Sequence, residues 1–463
     1  MSGASTAEPR ARVAVVGGGI AGLAAGWWLA RAGLEVTLFE RHAEPGFVAH
    51  AVRLPGLPDE APRVDVPLRV FYPGYYPTLV RLYQEAGVAS EAVSYASSFH
   101  DGGARAYFRY RNLRWGAQSV ALPPLADLAR SRDDRARRIA LGAWRFAGAL
   151  RRALAAGRLA GCSIGEFADA ERLDPAFVDG LLLPAIGTIA TCTHAAARAM
   201  PAPVVAGYLL SGIARESVRR ACGGADEVAR RLGAPLARQR LGARVASLIR
   251  EAPGAAGGRA AVALREAGGR VERFDHVVLA TQADQALGLL ADASPAEAAL
   301  LSEFAYAGLQ VTMHHDTALL PPDRRDWSAV NLFVHPAHPA PESTIWIDRV
   351  MPGLPSRPGA APVLQTVMPA RRPRDELVVA EAMFQRPLVT AGSAAALPRL
   401  AALHAEPGRR IWFCGSYAEA GVPLLESAVR SAWQVAQVVL AAVGRGSSGP
   451  RAARQAAVAD SSA

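Results

Sequence analysis

The chain has 463 residues, of which 51% are hydrophobic and 20% charged, and its formal net charge is +10. That composition suits two globular domains with sizeable cores and excludes a fibrous or disordered chain. Every one of its 51 strongly basic side chains is arginine, so neither a Schiff-base lysine nor a lysine general base exists here.

Four scattered cysteines, Cys162, Cys192, Cys222 and Cys414, form no CxxC pair. They suggest neither a zinc site nor a disulfide framework and fit a reducing cytoplasm. Met1 to Arg10 is polar and lacks the apolar core of a signal peptide. No apolar run approaches a membrane span, and the Gly/Ser/Arg/Ala-rich tail after Gly444 is expected to be disordered. No basic-aromatic RNA motif or recognition-helix pattern occurs, so no nucleic-acid partner is expected. Acidic substrates or an anionic membrane surface are the expected partners of the arginine excess.

In chain order, Arg12–Val16 predicts a strand, followed by Gly17-Gly18-Gly19-Ile20-Ala21-Gly22 and a helix. A second strand runs from Glu35 to Phe39 and closes on Glu40-Arg41. Gly17 permits a tight turn, Gly19 lets backbone approach a pyrophosphate, and Gly22 lets helix and strand pack closely. Free N–H groups at the helix start favour phosphate, and Glu40 lies at the spacing suited to ribose hydroxyls. A proline-rich loop, Pro45 to Pro67, leads to Arg69–Tyr72 and a helix over Tyr76–Ala86. Ala106 to Trp115 reads as a hairpin, Asp127–Arg158 as mostly helix, and Ile164–Leu183 as one or two short helices. Gly223-Gly224 precedes a helix to Leu232, and short strands follow over Arg244–Ile249, Ala260–Leu264 and Val271–Phe274. Asp275–Thr281 reads as an acid, an apolar strand and Ala-Thr, which signals a return to the nucleotide unit. Residues 300–400 mix strands with proline-rich loops, then Arg410–Gly415 is a strand ending in glycine and Leu424–Val439 a closing helix. Only one GxGxxG occurs, so no separate nicotinamide domain is expected.

This order of segments resembles the FAD-dependent amine oxidase and phytoene desaturase superfamily. It is most similar to a bacterial branch of NAD/FAD-binding oxidoreductases whose genes accompany cyclopropane-fatty-acid-synthase-like genes. The resemblance runs through Val64-Asp65, Tyr75–Leu79, Arg111–Leu113, Leu182–Pro184, Met200–Ala202, Met313–Asp316, Leu319–Pro321, Asp326-Trp327 and Trp412–Tyr417. It implies an α/β fold: a Rossmann-like FAD-binding domain built from discontinuous segments, with a mixed α/β substrate domain. The FAD-binding segments are expected at 10–90, 216–290 and 405–444. The substrate domain is expected at 91–215 and 291–404, and the disordered tail at 445–463. The chain departs from the family at Pro45-Gly46-Phe47, at Pro67, and at Gly421–Glu426.

By the same resemblance, Gly17, Gly19, Ile20, Ala21 and Gly22 serve the pyrophosphate, and Glu40 and Arg41 the adenosine end. The Val245 backbone meets the adenine, while Gly415, Ser416, Leu424 and Leu425 border the flavin side. Catalytic residues are not identified; His314 and Asp316, alternating on one strand face, and Tyr72 are candidates. Tyr75 and Tyr76 join Tyr72 as candidates for an aromatic slot. One helical face, with Ile139, Ala143, Phe146, Leu150 and Leu154 beside several arginines, offers peripheral contact with anionic lipid. Cys414 reads as a buried thiol.

The expected activity is hydride transfer between FAD and an apolar lipid or secondary metabolite: desaturation, saturation or isomerisation. Many amine oxidases of the superfamily use a lysine-held water near the flavin, which this chain cannot supply. Flavin amine oxidation, NAD(P)-dependent dehydrogenation and non-catalytic nucleotide binding stand as alternatives.

Overall fold

A computed structural model describes residues 10–115, 118–124, 127, 134–213, 215–252, 261–335, 337–354 and 360–446. From residue 447 onward, the expected disordered tail lies outside the described residues.

β1 (Arg12–Val16) and β2 (Glu35–Phe39) are apolar runs buried at four of five positions. That pattern belongs to parallel strands covered on both faces. α1 (Ile20–Arg31) joins them and is buried continuously from Ile20 to Leu29, because sheet and helices enclose it. The five-stranded sheet runs in the order Ile411–Phe413, His276–Leu279, β1, β2, Arg238–Arg240. All four pairings are parallel. Three stretches far apart in sequence therefore build one sheet.

One face of this sheet carries α1, the helix Gly224–Gly233 and the C-terminal helix Leu425–Gly446, with Trp28 edge-on to Trp433 at 5.1 Å. The other face carries the antiparallel strands Val245–Glu251, Ala261–Glu266 and Val271–Phe274, with helices Ala283–Leu289, Pro295–Leu301 and Ala391–His404.

A second sheet has eight strands, drawn from 97–122 and 306–387. Its order is Val378–Pro387, Tyr306–His314, Leu364–Val367, Glu342–Trp346, Val330–Phe333, Ser97–His100, Phe108–Trp115, Gln118–Leu122. The residues expected to form a hairpin within 106–115 instead give one strand, Phe108–Trp115, which pairs with Gln118–Leu122.

The helix Arg135–Ala155 corrects the lipid-facing expectation. Ile139, Phe146 and Leu150 are fully or nearly fully buried, with Phe146 5.4 Å from the Phe177 ring. Gly142 packs so closely on Phe177 that a Cβ there would lie 2.3 Å from it. The apolar face therefore builds the core; Leu154 remains exposed, as do Leu141 and Trp144 on other faces. Among the described residues, no helix is long and apolar enough to cross a membrane.

Candidate cofactor and substrate site

β1 delivers the chain into the glycine loop. Gly17 has φ +104°, and a Cβ there would lie 2.7 Å from Ala280 O. A Cβ on Gly22 would lie 1.9 Å from Gly17 O, so α1 can start this close to β1 only with glycine there. Gly19 differs: nothing lies within 4 Å of its would-be Cβ, so the loop opens to space there. α1 has no side-chain cap. Among the described residues no acceptor meets the N–H groups of Gly19, Ile20 and Ala21. A helix start with free amides facing open space is an anion cradle.

Glu40, at the end of β2, is buried. Its Oε2 accepts from Gly18 N at 2.7 Å and its Oε1 from His42 N at 2.9 Å. Among the described residues no cation pairs with it. Each oxygen keeps a lone pair for a further donor such as a ribose hydroxyl. Arg41 is exposed, with Nε 3.4 Å from His42 Nε2. Ala243 N donates to Glu40 O, which brings the approach to Val245 beside the acid. The Val245 side chain belongs to the core with Phe39 and Ala243. These features fit the adenosine and pyrophosphate half of a dinucleotide.

The unusual Pro45-Gly46-Phe47 turn is built onto this loop. Phe47 N donates to Gly18 O at 2.9 Å, and a Cβ on Gly46 would lie 2.7 Å from Glu40 Oε2. Sequence reading noticed the departure but not that its glycine is needed beside the acid.

Two residues beyond the C-terminal strand Ile411–Phe413 stands Gly415, φ +156°, which Ser431 fastens to the C-terminal helix. Gly415 N donates to Ser431 Oγ at 3.0 Å, and Ser431 Oγ donates back to Gly415 O at 2.9 Å. Ser416, Leu424 and Leu425 are half-buried. The loop before Leu424 is held by Tyr75, whose hydroxyl accepts from Val422 N at 2.8 Å. Cys414 is fully buried, and burial pushes its thiol up to about 12.

The catalytic candidates are occupied elsewhere. His314 ends its strand fully buried, with Nε2 2.7 Å from Thr366 Oγ1 and Nδ1 accepting from Asp316 N at 3.0 Å. Burial pulls its pKa down to about 4, so the ring is neutral near pH 7. Asp316 lies beyond the strand and caps the short helix Thr317–Leu319, so the two residues do not alternate on one strand face. Asp316 also accepts from Arg374 N at 3.1 Å. Tyr72 is buried, donating to Tyr208 O at 2.9 Å with Ser211 Oγ at the same distance.

Other groups remain uncommitted. The hydroxyls of Tyr76 and Tyr208 meet no partner among the described residues, and burial raises both phenol pKa values. Tyr72, Tyr75, Tyr76 and Tyr208 form one cluster, with ring centroids 4.6 Å apart for Tyr75–Tyr208 and 5.6 Å for Tyr72–Tyr76. Arg386 stands within electrostatic reach of Tyr76 and of Arg69. The latter packs its guanidinium 4.3 Å from the Phe47 ring centroid. Neither arginine was singled out from sequence, because a lone arginine in an arginine-rich chain carries no local signal.

The family profile of the NAD(P)-binding Rossmann-like domain matches residues 15–86. Among curated proteins, the chain is similar to the tRNA 5-methylaminomethyl-2-thiouridine biosynthesis bifunctional protein MnmC of Magnetococcus marinus, at 62% identity over 39 residues. That match covers 8% of this chain and 6% of that protein. Among solved structures, the CLA-producing fatty acid isomerase from P. acnes aligns with TM-score 0.61 at 13% identity, over 92% of this chain and 98% of that one. Cyclohexylamine oxidase from Brevibacterium oxydans IH-35A aligns with TM-score 0.59 at 15% identity, over 94% of this chain and all of that one. The chain is thus an α/β protein whose residues 15–86 match the model of a Rossmann-like domain and whose fold is that of these solved structures.

Proposed function

We propose that this protein is an FAD-dependent oxidoreductase that exchanges a hydride between flavin and an apolar organic substrate, in a desaturation, saturation or isomerisation. The observation that carries the reading is the cradle over Gly19: free α1 amides, open space, and the uncompensated Glu40 carboxylate at the neighbouring strand end. The α1 amides hold the pyrophosphate, and Glu40 accepts from the ribose hydroxyls. Gly415, Ser416, Leu424 and Leu425 border the ring. When bound, FAD supplies the hydride acceptor or donor. Tyr76 and Tyr208 stay protonated near neutral pH, so their hydroxyls donate hydrogen bonds and orient substrate rather than abstract a proton. Their rings also keep water from the reacting face.

The solved enzymes with this fold include, by name, a fatty acid isomerase and amine oxidases. The absence of lysine favours the first kind of chemistry. NAD(P) use is a second reading, favoured by the profile match over residues 15–86.

The visible spectrum of the purified protein, before and after heat release of any cofactor, tests this. Flavin bands with FAD released support it. A colourless protein that takes up no added FAD sinks it and favours the NAD(P) or non-catalytic reading.

A further inference from the structure

We propose that the outer face of the helix Arg135–Ala155 docks on an anionic lipid bilayer. Trp144 and Leu141 enter the headgroup layer, and Arg145, Arg151 and Arg152 engage lipid phosphates. This goes beyond the flavin reading and does not rest on it. The face that carries Ile139, Phe146 and Leu150 is spent in the core, and the docking face is the opposite one.

The helix carries Arg135, Arg137, Arg138, Arg145, Arg151 and Arg152 and no acidic residue, and no acid follows until Glu166. Arginines near its start are paired from outside: Arg135 lies 2.8 Å from Asp101 and Arg138 lies 2.7 Å from Asp174. Further along, the pattern changes. Arg145, Arg151 and Arg152 are exposed, and among the described residues no carboxylate lies within ion-pair distance of any of them. Arg151 reaches only the backbone, with Nη1 3.4 Å from Ala147 O. Leu141, Arg145, Gly148 and Arg152 follow one another at steps of three or four residues, as do Trp144, Gly148 and Arg151. These residues therefore share one face over about 17 Å of helix. A face with three unpaired cations and no carboxylate of its own attracts a surface that carries many negative charges.

The apolar residues say which kind of anionic surface. Trp144 is 75% exposed, more than any other large hydrophobic side chain among the described residues, and Leu141 is 57% exposed. Elsewhere the chain covers tryptophans with cations. The guanidiniums of Arg31, Arg81, Arg324 and Arg349 stand 4.3 to 5.2 Å from the rings of Trp27, Trp433, Trp327 and Trp346. Trp144 has arginines on its own helix, yet among the described residues neither a guanidinium nor a ring packs on it. A tryptophan ring settles at the headgroup level of a bilayer, and arginine stems lie along apolar surface while their heads stay at the phosphates. Arginines around an exposed Trp and Leu are the composition of an interfacial helix. Nucleic acid is polyanionic too, but single strands are held in grooves with several stacking rings. Here one ring stands on a convex helix face.

Sedimentation of the full-length protein with vesicles tests the proposal, using phosphatidylcholine alone and phosphatidylcholine mixed with phosphatidylglycerol. The protein should sediment with the mixed vesicles and not with the neutral ones, and raising the salt should release it. Arg145→Gln, Arg151→Gln and Arg152→Gln should each weaken binding roughly fivefold, and Trp144→Ala should weaken it several-fold. All four side chains are exposed, so the thermal transition should move little. Met383→Ala, at an exposed site on the eight-stranded sheet, should bind like wild type. No binding to the mixed vesicles, or equal binding to the neutral ones, would overturn the proposal. So would undiminished binding in either Trp144→Ala or the Arg145→Gln/Arg151→Gln/Arg152→Gln protein. Tighter, arginine-dependent binding to a single-stranded oligonucleotide than to the mixed vesicles would also overturn it, assigning the face to nucleic acid. None of these readouts involves flavin, so a colourless protein that binds as described supports this inference while removing the redox reading.

Discussion

Gly19 and Gly22 stand three residues apart and do different work. Gly19 has φ −69° and ψ 178°, a conformation any residue adopts, and open space around its Cβ direction. Gly19→Ala should therefore fold, with a loss of at most about 1 kcal/mol for the poorer cap, while under the proposed function its methyl stands in the way of the pyrophosphate. Flavin content at fixed added FAD should fall, and the melting temperature should shift little. Gly22→Ala puts a carbon 1.9 Å from Gly17 O. It should cost about 1–3 kcal/mol of stability, as forced overpacking does, visible as an earlier thermal transition even without cofactor. If the two variants behave alike in both measurements, the division of roles is wrong. The three glycines and Glu40 were legible in the sequence because their spacing is local. Gly46 and Tyr75 were not, because each acquires its role from a distant partner; Tyr75 and Val422, for example, are separated by 347 positions.

At the scale of elements, α2 (Pro77–Glu85) and the C-terminal helix are tied by a carboxylate. α2 has no side-chain cap of its own. Glu426, buried in the first turn of the C-terminal helix, accepts from Thr78 N at 3.1 Å and Leu79 N at 2.9 Å. It thus caps α2 from another element, and Arg81 of α2 packs 4.3 Å from the Trp433 ring on the same helix. Glu426→Ala should lower unfolding free energy by about 1–3 kcal/mol, since two amides lose their acceptor, and Glu426→Gln should lower it less. Chemical denaturation of both variants checks the order; equal stability of wild type and Glu426→Ala would refute the cap. Both helices were predicted from periodicity to within one or two residues at their starts. Their tie was not, because the carboxylate and the amides that it caps are 348 and 347 positions apart.

The whole molecule carries a pH response that no single motif announces. His100, His276 and His314 are all buried, and burial pulls each from an ordinary 6.5 to about 4. Arg410 further depresses His276, His315 further depresses His314, and the opposing pull of nearby aspartates is smaller than the burial effect. In this window the unfolded chain binds more protons than the folded one, so stability rises with pH. Going down, stability should be full above about pH 6.5 and fall progressively towards about pH 4, where folded histidines also charge. Urea midpoints across that range should decline monotonically. A flat profile would mean that these rings are charged, or exposed, in the folded protein.

The sequence by itself determined the βαβ unit, the return of the chain to it at Asp275 and Arg410, and the acid beside the glycine loop. Those features arise from local spacing and from apolar runs that can only be covered strands, and the five-stranded parallel sheet assembles them. The tertiary structure alone decided which polar groups are spent and which are free. His314 and Asp316 looked chemical in the sequence and are consumed by Thr366 and by backbone amides. Arg145, Arg151 and Arg152 looked ordinary among many arginines, yet none finds a carboxylate among the described residues. Availability depends on who stands opposite in space, and spacing along the chain does not carry that.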